Sequence, residues 1–167
     1  MSNIVKIKNN IGNFNRTISV PGDKSLSIRW VLFASLANGT SKAKNLLMSE
    51  DVLAAIDAVK RLGIKVIRSK KECKIFGKGI NGYKYKKNLK IDAQNSGTLG
   101  RLILGLLVNS SEPIHLTGDK SLSKRDFKRI SDPLSKFGPK FQLTKKRYLP
   151  LKILGSTKLK PIKYFET

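Results

Sequence analysis

Residues 21–29 (PGDKSLSIR) and residues 94–102 (QNSGTLGRL) decide how this chain folds. Each stretch places small residues before an apolar segment and an arginine one helical turn inside it, at Arg29 and Arg101. Small residues at the start of a helix leave backbone N–H groups accessible, and these groups together with the helix dipole favour a bound anion such as phosphate. The pair of helix starts therefore predicts a protein that binds phosphorylated, acidic small molecules.

The two stretches open two copies of a longer pattern. In each copy an apolar helix precedes a short strand, an amphipathic helix and a pair of strands, and this alternation is typical of an α/β fold. The copies match in the same order along the chain, at residues 59–66 with 134–141 and at residues 74–77 with 152–155. The sequence therefore predicts two βαβαββ-like units. Residues 161–165 (PIKYF) resemble the opening strand of a third unit.

Hydrophobic spacing and turn residues predict the individual elements. Ser49 is a favourable N-cap for the second helix, and Pro133 is expected to kink the fourth helix or to mark its start. We expect helices at residues 26–36, 50–62, 98–108 and 127–137. We expect strands at residues 41–47, 64–67, 73–76, 114–116, 141–143 and 151–154.

The chain is strongly basic, with 34 Lys and Arg residues against 11 Asp and Glu residues and a formal net charge of +23. Such a charge is typical of nucleic-acid-binding proteins. The lysines, however, are scattered in short pairs, without a long basic block or interleaved aromatic residues. The sequence therefore favours a solvated basic surface over a nucleic-acid interface, and its field would still attract small anions.

Other features limit the class of protein. No apolar run approaches the roughly 18 residues of a membrane-spanning helix, and residues 1–10 lack the apolar segment of a secretion signal. The lone Cys73 excludes an internal disulfide and fits a reducing compartment. The single histidine, His115, stands without clustered carboxylates, so no metal site is expected. We expect a cytoplasmic protein without membrane contact, metal or other cofactor.

Three segments in the same order make the chain similar to a known family. They resemble the signatures of the EPSP synthases, which are 3-phosphoshikimate 1-carboxyvinyltransferases. The segments are residues 21–29, residues 95–98 (NSGT) with Arg101, and residues 118–125 (GDKSLSKR). Shorter matches lie between and after them, at residues 49–52 (SEDV) and 132–134 (DPL). The resemblance covers nearly the whole chain and implies an α/β (α+β) enolpyruvyl transferase fold of repeated βαβαββ units.

Members of that family are more than twice as long, with two domains of three βαβαββ units each and the substrates held between them. The resemblance implies that residues 21–167 form most of one incomplete domain, about two units plus the start of a third. Residues 1–20 would be a strand segment that pairs with the other domain. The carboxylates assigned to proton transfer fall outside the match, so this chain is expected to be a fragment inactive alone, for which a separately encoded C-terminal half would be a partner.

The family's reaction transfers the enolpyruvyl group of phosphoenolpyruvate to the 5-hydroxyl of shikimate 3-phosphate in the shikimate pathway. It gives EPSP and phosphate through a tetrahedral intermediate and needs no metal. Both substrates carry several negative charges, so cations and backbone donors must offset their repulsion.

The resemblance also implies a role for individual residues. Lys24 is the catalytic candidate and would contact both substrates with its compact ammonium group. Ser25 and Arg29 would bind shikimate 3-phosphate. Arg101 is a further candidate of lower rank that is assigned to neither substrate, and a structural role as an ion-pair partner stays open for it. Phosphoenolpyruvate would be bound by Lys24, Asn95, Gly97, Thr98 and Arg125.

One departure from the family pattern bears on this assignment. Asp126 stands where the family usually has proline, directly after Arg125. A carboxylate beside Arg125 would be expected to neutralise it in part.

Two alternative functions stay open at this point. In the first alternative the chain is a non-catalytic module that binds anions or nucleic acid. In the second it is another enzyme of the same fold, such as a UDP-N-acetylglucosamine enolpyruvyl transferase or an RNA 3′-phosphate cyclase. Residues 23–25 and 95–98 argue against the other enzymes. Trp30, Cys73 and His115 are assigned to packing rather than to chemistry.

Overall fold

A computed structural model describes residues 6, 8, 12, 15–69 and 72–165. Within these residues the chain forms a mixed α/β fold, as predicted. The α-helices are α1 (Lys24–Leu36), α2 (Glu50–Arg61), α3 (Gly97–Leu106) and α4 (Lys128–Ser135), and a 3₁₀ turn covers Leu122–Lys124. The strands are β1 (Asn38–Lys44), β2 (Lys65–Arg68), β3 (Glu72–Lys78), β4 (Leu89–Asp92), β5 (Ile114–Thr117), β6 (Lys140–Thr144) and β7 (Tyr148–Leu154).

The strands form two sheets, one in each predicted unit. The first sheet has the order β1-β3-β2 with antiparallel pairing throughout. The second has the order β4-β5-β7-β6, in which β4 pairs parallel to β5 and the remaining pairs are antiparallel. The second unit thus has the full βαβαββ order. Among the described residues the first unit has the same order without an opening strand.

The two units share one apolar core. α1 packs against α2, α3 and strand β3, so the helices of the first unit contact those of the second. The buried side chains come from both units and from helices and strands alike, and include Ile28, Val59, Ile75, Ile103 and Ile153. This shared core fixes the helices of the two units relative to one another.

Several elements differ from the sequence-based expectation, among them β1, β4 and β7, which begins at Tyr148 rather than at residue 151. β1 begins at Asn38, three residues before the predicted start at residue 41. Gly39 has a positive φ of 103°, which lets the chain pass from the end of α1 directly into the strand. The four-residue β4 was not predicted, although its residues LKID alternate between apolar and polar and their burial alternates in the same way.

The ends of the chain also bear on the prediction. The predicted strand segment at residues 1–20 lies largely outside the described residues, and residues 15–20 form no strand. Residues 161–165, expected to resemble an opening strand, are irregular.

Pro133 lies inside α4, which covers eight residues instead of the eleven predicted. In the part of the chain that the structure describes, every helix is too short or too polar to cross a bilayer.

Candidate anion-binding site

The first turns of α1, α2 and α3 surround a single cavity of about 330 Å³. Lys24 and Gly97 are the first residues of their helices, and Asp51 is the second residue of α2. Each helix start adds partial positive charge from its unpaired N–H groups, which favours an anion between them. The cavity is lined by Lys24, Asp51, Asn95, Gly97, Thr98, Arg101 and Arg125.

Local contacts fix the start of α1 at the rim of this cavity. Asp23 is the N-cap, and its Oδ1 accepts a hydrogen bond of 2.7 Å from the backbone N–H of Leu26. Gly22 lies so close to the backbone oxygen of Asn45 that a Cβ atom would come within 2.2 Å of it. The ammonium group of Lys24 lies 3.1 Å from Oδ2 of Asp51, which joins the first turns of α1 and α2 by an ion pair.

Gly97 forms the floor of the cavity. The helix behind it is capped by the buried Ser96, whose hydroxyl accepts a hydrogen bond from the backbone N–H of Leu99. A Cβ atom on Gly97 would lie 2.8 Å from Nη1 of Arg125 and 3.1 Å from Nη1 of Arg101. Two guanidinium groups therefore converge over a stretch of backbone that only glycine leaves bare.

Arg101 is the more enclosed of the two arginines. Its guanidinium carbon lies 5.7 Å from the centroid of the Phe127 ring, and its Nε atom is buried with no hydrogen-bond partner among the described residues. Burial, followed by the positive charges of Arg129 and Arg125, lowers the pKa of Arg101, and the nearby carboxylate of Asp126 opposes this. The described part of the chain gives Arg101 no carboxylate within ion-pair distance, so its charge is available to an anion.

Arg125 reaches the cavity from the loop after β5. Its backbone N–H closes the 3₁₀ turn on the carbonyl of Leu122, and its Nη2 donates to Oδ1 of Asn95 at 3.4 Å. Among the described residues Asp126 forms no ion pair with Arg125, the residue that it is expected to neutralise in part. The Asp126 carboxylate instead pairs with Arg147 at 3.3 Å and accepts the backbone N–H of Lys128 at 2.7 Å.

The structure thus places in one cavity the residues that were predicted to bind phosphoenolpyruvate, together with the further candidate Arg101. These residues are Lys24, Asn95, Gly97, Thr98, Arg101 and Arg125. It does not place Ser25 and Arg29 in this cavity. Arg29 is exposed, and its Nη1 donates to the backbone carbonyl of Ser25, 3.2 Å away on the same helix. A role for these two residues in binding shikimate 3-phosphate remains a prediction.

The sequence interpretation missed two carboxylates at the site. Asp51 lines the cavity and pairs with Lys24, and Asp119 binds the side chain of Asn95 at 2.8 Å. Both lie inside family-like segments, at residues 49–52 and 118–125, and their position in these segments was the signal that would have identified them.

The charges at the cavity suit an anion with several oxygens. Three cationic side chains face a single carboxylate there, with bare backbone between them. The described residues contain no cluster of His, Cys, Asp or Glu able to hold a metal ion. His115 lies in β5 and does not line the cavity, and Cys73 is fully buried in β3. The site is equipped to bind and orient phosphate and carboxylate groups.

Comparison with known proteins points the same way. The family model for EPSP synthase (3-phosphoshikimate 1-carboxyvinyltransferase) matches residues 8–167. The chain is 41% identical over 161 residues to a 3-phosphoshikimate 1-carboxyvinyltransferase of Streptococcus agalactiae, covering 96% of this chain and 38% of that protein. It is 46% identical over 153 residues to that of Caldicellulosiruptor bescii, covering 90% of this chain and 34% of the relative.

A solved structure gives the same result at the level of the fold. The EPSP synthase from Acinetobacter baumannii superimposes with a TM-score of 0.82 and 38% sequence identity, covering 88% of this chain and 33% of that one. The chain therefore spans little more than a third of the length of the relatives that it matches.

Proposed function

The chain belongs to the EPSP synthase family, and from this premise we propose that it forms part of an enzyme that transfers the enolpyruvyl group of phosphoenolpyruvate to shikimate 3-phosphate. The observation that carries the proposal is that Lys24, Arg101 and Arg125 line one cavity, in which the two guanidinium groups meet over the bare backbone of Gly97. Phosphoenolpyruvate has a phosphate and a carboxylate close together, which matches paired guanidinium groups beside helix N-termini.

In this proposal the cavity binds phosphoenolpyruvate. Arg101 and Arg125 contact its phosphate and carboxylate oxygens, and the backbone at Gly97 and Thr98 adds N–H donors. Lys24 stands at the rim and bridges to shikimate 3-phosphate, whose own anionic groups reach toward Ser25 and Arg29 on the same helix start. Positioning two polyanions against fixed cations lowers the electrostatic cost of bringing them together.

Binding of the two substrates to the isolated chain tests this proposal. We expect phosphoenolpyruvate, added in the presence of shikimate 3-phosphate, to shift the side-chain ¹H–¹⁵N resonances of Arg101 and Arg125 in a saturable way. Lys24→Met should weaken this binding by about tenfold, because it removes a charge at the anion. Lys42→Met is the matched control, since Lys42 is an exposed lysine of β1 outside the cavity.

Two results would overturn the proposal. One is equal weakening by both lysine variants, which would indicate a general charge effect. The other is a preference for a mixed-sequence RNA with a steep dependence on salt, which would favour the nucleic-acid alternative.

Turnover provides a separate test. We expect purified 1–167 to form no EPSP from the two substrates above background, because the family's proton-transfer carboxylates are not among its residues. Activity should appear when the complementary portion of a family member is supplied as a second polypeptide. Turnover by 1–167 alone, well above the background rate, would contradict the fragment assignment.

A further inference from the structure

The side chain of Asp119 makes two hydrogen bonds at the edge of the cavity, although it does not line the cavity itself. Its Oδ2 accepts from Nδ2 of Asn95 at 2.8 Å, and its Oδ1 accepts from the backbone N–H of Leu122 at 2.7 Å. The described residues place no lysine or arginine within ion-pair distance of this carboxylate. Although the chain is strongly basic, the two oxygens of Asp119 thus bind the side-chain amide of Asn95 and the backbone of the 3₁₀ turn instead of a cation.

The first bond determines which way the Asn95 amide faces. An ionised carboxylate only accepts hydrogen bonds, so the Asn95 NH₂ group must face Asp119. The amide oxygen then faces the opposite way, where it accepts from Nη2 of Arg125 at 3.4 Å. Asp119 therefore orients the amide of Asn95 so that its oxygen accepts from Arg125. This bond holds Nη2 of the guanidinium group and leaves Nη1 over Gly97.

The second bond supports the turn that carries Arg125. The backbone N–H of Leu122 is bound by Asp119, the N–H of Arg125 closes the turn on Leu122, and the Leu122 side chain is fully buried. Gly118 permits this packing, because a Cβ atom there would lie 2.7 Å from Cδ2 of Leu122. One carboxylate thus fixes both the backbone position and the side-chain orientation of Arg125.

We propose that Asp119 is a positioning residue of the anion site, which orients Arg125 through Asn95 without touching the anion. This inference rests on the proposed function, because it takes phosphoenolpyruvate as the anion. Its consequence is that a carboxylate, which by charge alone repels the substrate, increases the affinity of the site.

Asp119→Asn separates the two bonds. Asparagine is about as good as aspartate at capping a turn, so its side-chain oxygen keeps the bond to Leu122. Its second group is then an NH₂ donor instead of an acceptor, and Asn95 must rotate its amide to meet it. The Asn95 NH₂ group would then face the donors of Arg125, and the guanidinium would lose its partner.

The test compares phosphoenolpyruvate affinity, in the presence of shikimate 3-phosphate, for the unmodified chain and for Asp119→Asn. We expect binding to weaken by about fivefold, since an exposed charge-assisted hydrogen bond is worth about 1 kcal/mol. The Asn95 side-chain amide resonances and the Arg125 Nε–Hε resonance should shift even without ligand, while the Leu122 amide keeps its protection from hydrogen exchange.

Asp126→Asn is the matched control. It removes the same charge from the same loop, but Asp126 contacts Arg147 and Lys128 and not the cavity. We expect it to leave the affinity unchanged or slightly higher. If the unmodified chain binds phosphoenolpyruvate and Asp119→Asn binds it as tightly or more tightly, the inference is overturned and the proposed function stands. If the unmodified chain does not bind phosphoenolpyruvate, both are overturned.

Discussion

Apart from the additional strand β4 of the second unit, the two units of the chain have the same order of helices and strands among the described residues, but they contribute differently to the site. In the first unit Gly77, in β3, packs against the end of α1, where a Cβ atom would lie 2.2 Å from the carbonyl oxygen of Ala37. In the second unit Gly155, just after β7, packs against the turn that follows α3, where a Cβ atom would lie 2.1 Å from the backbone nitrogen of Ser110. The repeated sequence KIFG and KILG thus encodes a repeated close contact between the end of the unit's last strand and the chain just after its first helix.

The arginines at equivalent positions show the difference. Arg29 lies exposed on α1 and bonds to its own helix, whereas Arg101 on α3 stacks on Phe127 and turns into the cavity. The second unit supplies most of the cavity lining, and the first adds Lys24 and Asp51. A duplicated framework thus places two helix starts side by side, and unequal side chains around them create one binding site.

The largest expected effect tests whether the framework is shared. We expect Gly77→Ala and Gly155→Ala each to lower the free energy of unfolding by about 3 kcal/mol, because the added methyl groups would meet rigid backbone atoms. Urea denaturation followed by circular dichroism measures both. Gly105→Ala is the control, since a Cβ atom there meets nothing within 4 Å and should stabilise α3 slightly. Widely different losses for Gly77→Ala and Gly155→Ala would show that the two contacts are not equivalent.

The next effect concerns the site alone. Gly97→Ala would place a methyl group where the Nη1 atoms of Arg101 and Arg125 meet. Because these are the flexible ends of long side chains, they can move aside, so we expect unchanged or slightly higher stability. We expect phosphoenolpyruvate affinity to fall by at least about tenfold, since the anion loses both its space and its aligned donors.

Isothermal titration in the presence of shikimate 3-phosphate measures this loss, and Gly105→Ala on the same helix again serves as the control. Unchanged affinity for Gly97→Ala, in a chain that binds the ligand normally, would show that the anion does not bind over this glycine.

The contrast between the arginines can be sharpened directly. We expect Arg101→Gln to weaken phosphoenolpyruvate binding by about fivefold, because it removes a cation from the cavity. Arg29→Gln should leave phosphoenolpyruvate binding unchanged and weaken that of shikimate 3-phosphate. Titrating each ligand against each variant gives the four affinities. A reversed pattern, with Arg29→Gln affecting phosphoenolpyruvate more than Arg101→Gln, would overturn the assignment.

The backbone could be predicted from the sequence further than the site. Periodicity and the helix-ending Gly63 and Gly138, both of which have positive φ, located the helices and the strand pairs. Local sequence shows which residues begin a helix, but not which helix starts are adjacent. Arg29 and Arg101 therefore stand in similar sequence motifs although their surroundings differ. The ion pair between Lys24 in α1 and Asp51 in α2 could not be predicted, because it joins two different helices.

The smallest effect compares two buried residues at equivalent strand positions, Cys73 in β3 and Leu151 in β7. Burial raises the pKa of the Cys73 thiol above its ordinary value of 9.0. The unfolded chain therefore loses this proton at lower pH than the folded chain, so the free energy of unfolding falls as the pH rises above about 9, until the folded-state pKa is passed.

One proton limits this fall to about 1.4 kcal/mol per pH unit. We expect Cys73→Val, which places an aliphatic side chain as in the second unit, to make the stability between pH 8 and about 9.5 flatter than that of the unmodified chain. Urea titrations across this range measure the difference. Burial also raises the pKa of Tyr83, but Tyr83 ionises in the unfolded chain only at a pH above this range. Parallel curves for the two proteins would mean that the thiol does not make the first unit sensitive to alkali, and that Cys73 differs from Leu151 in packing alone.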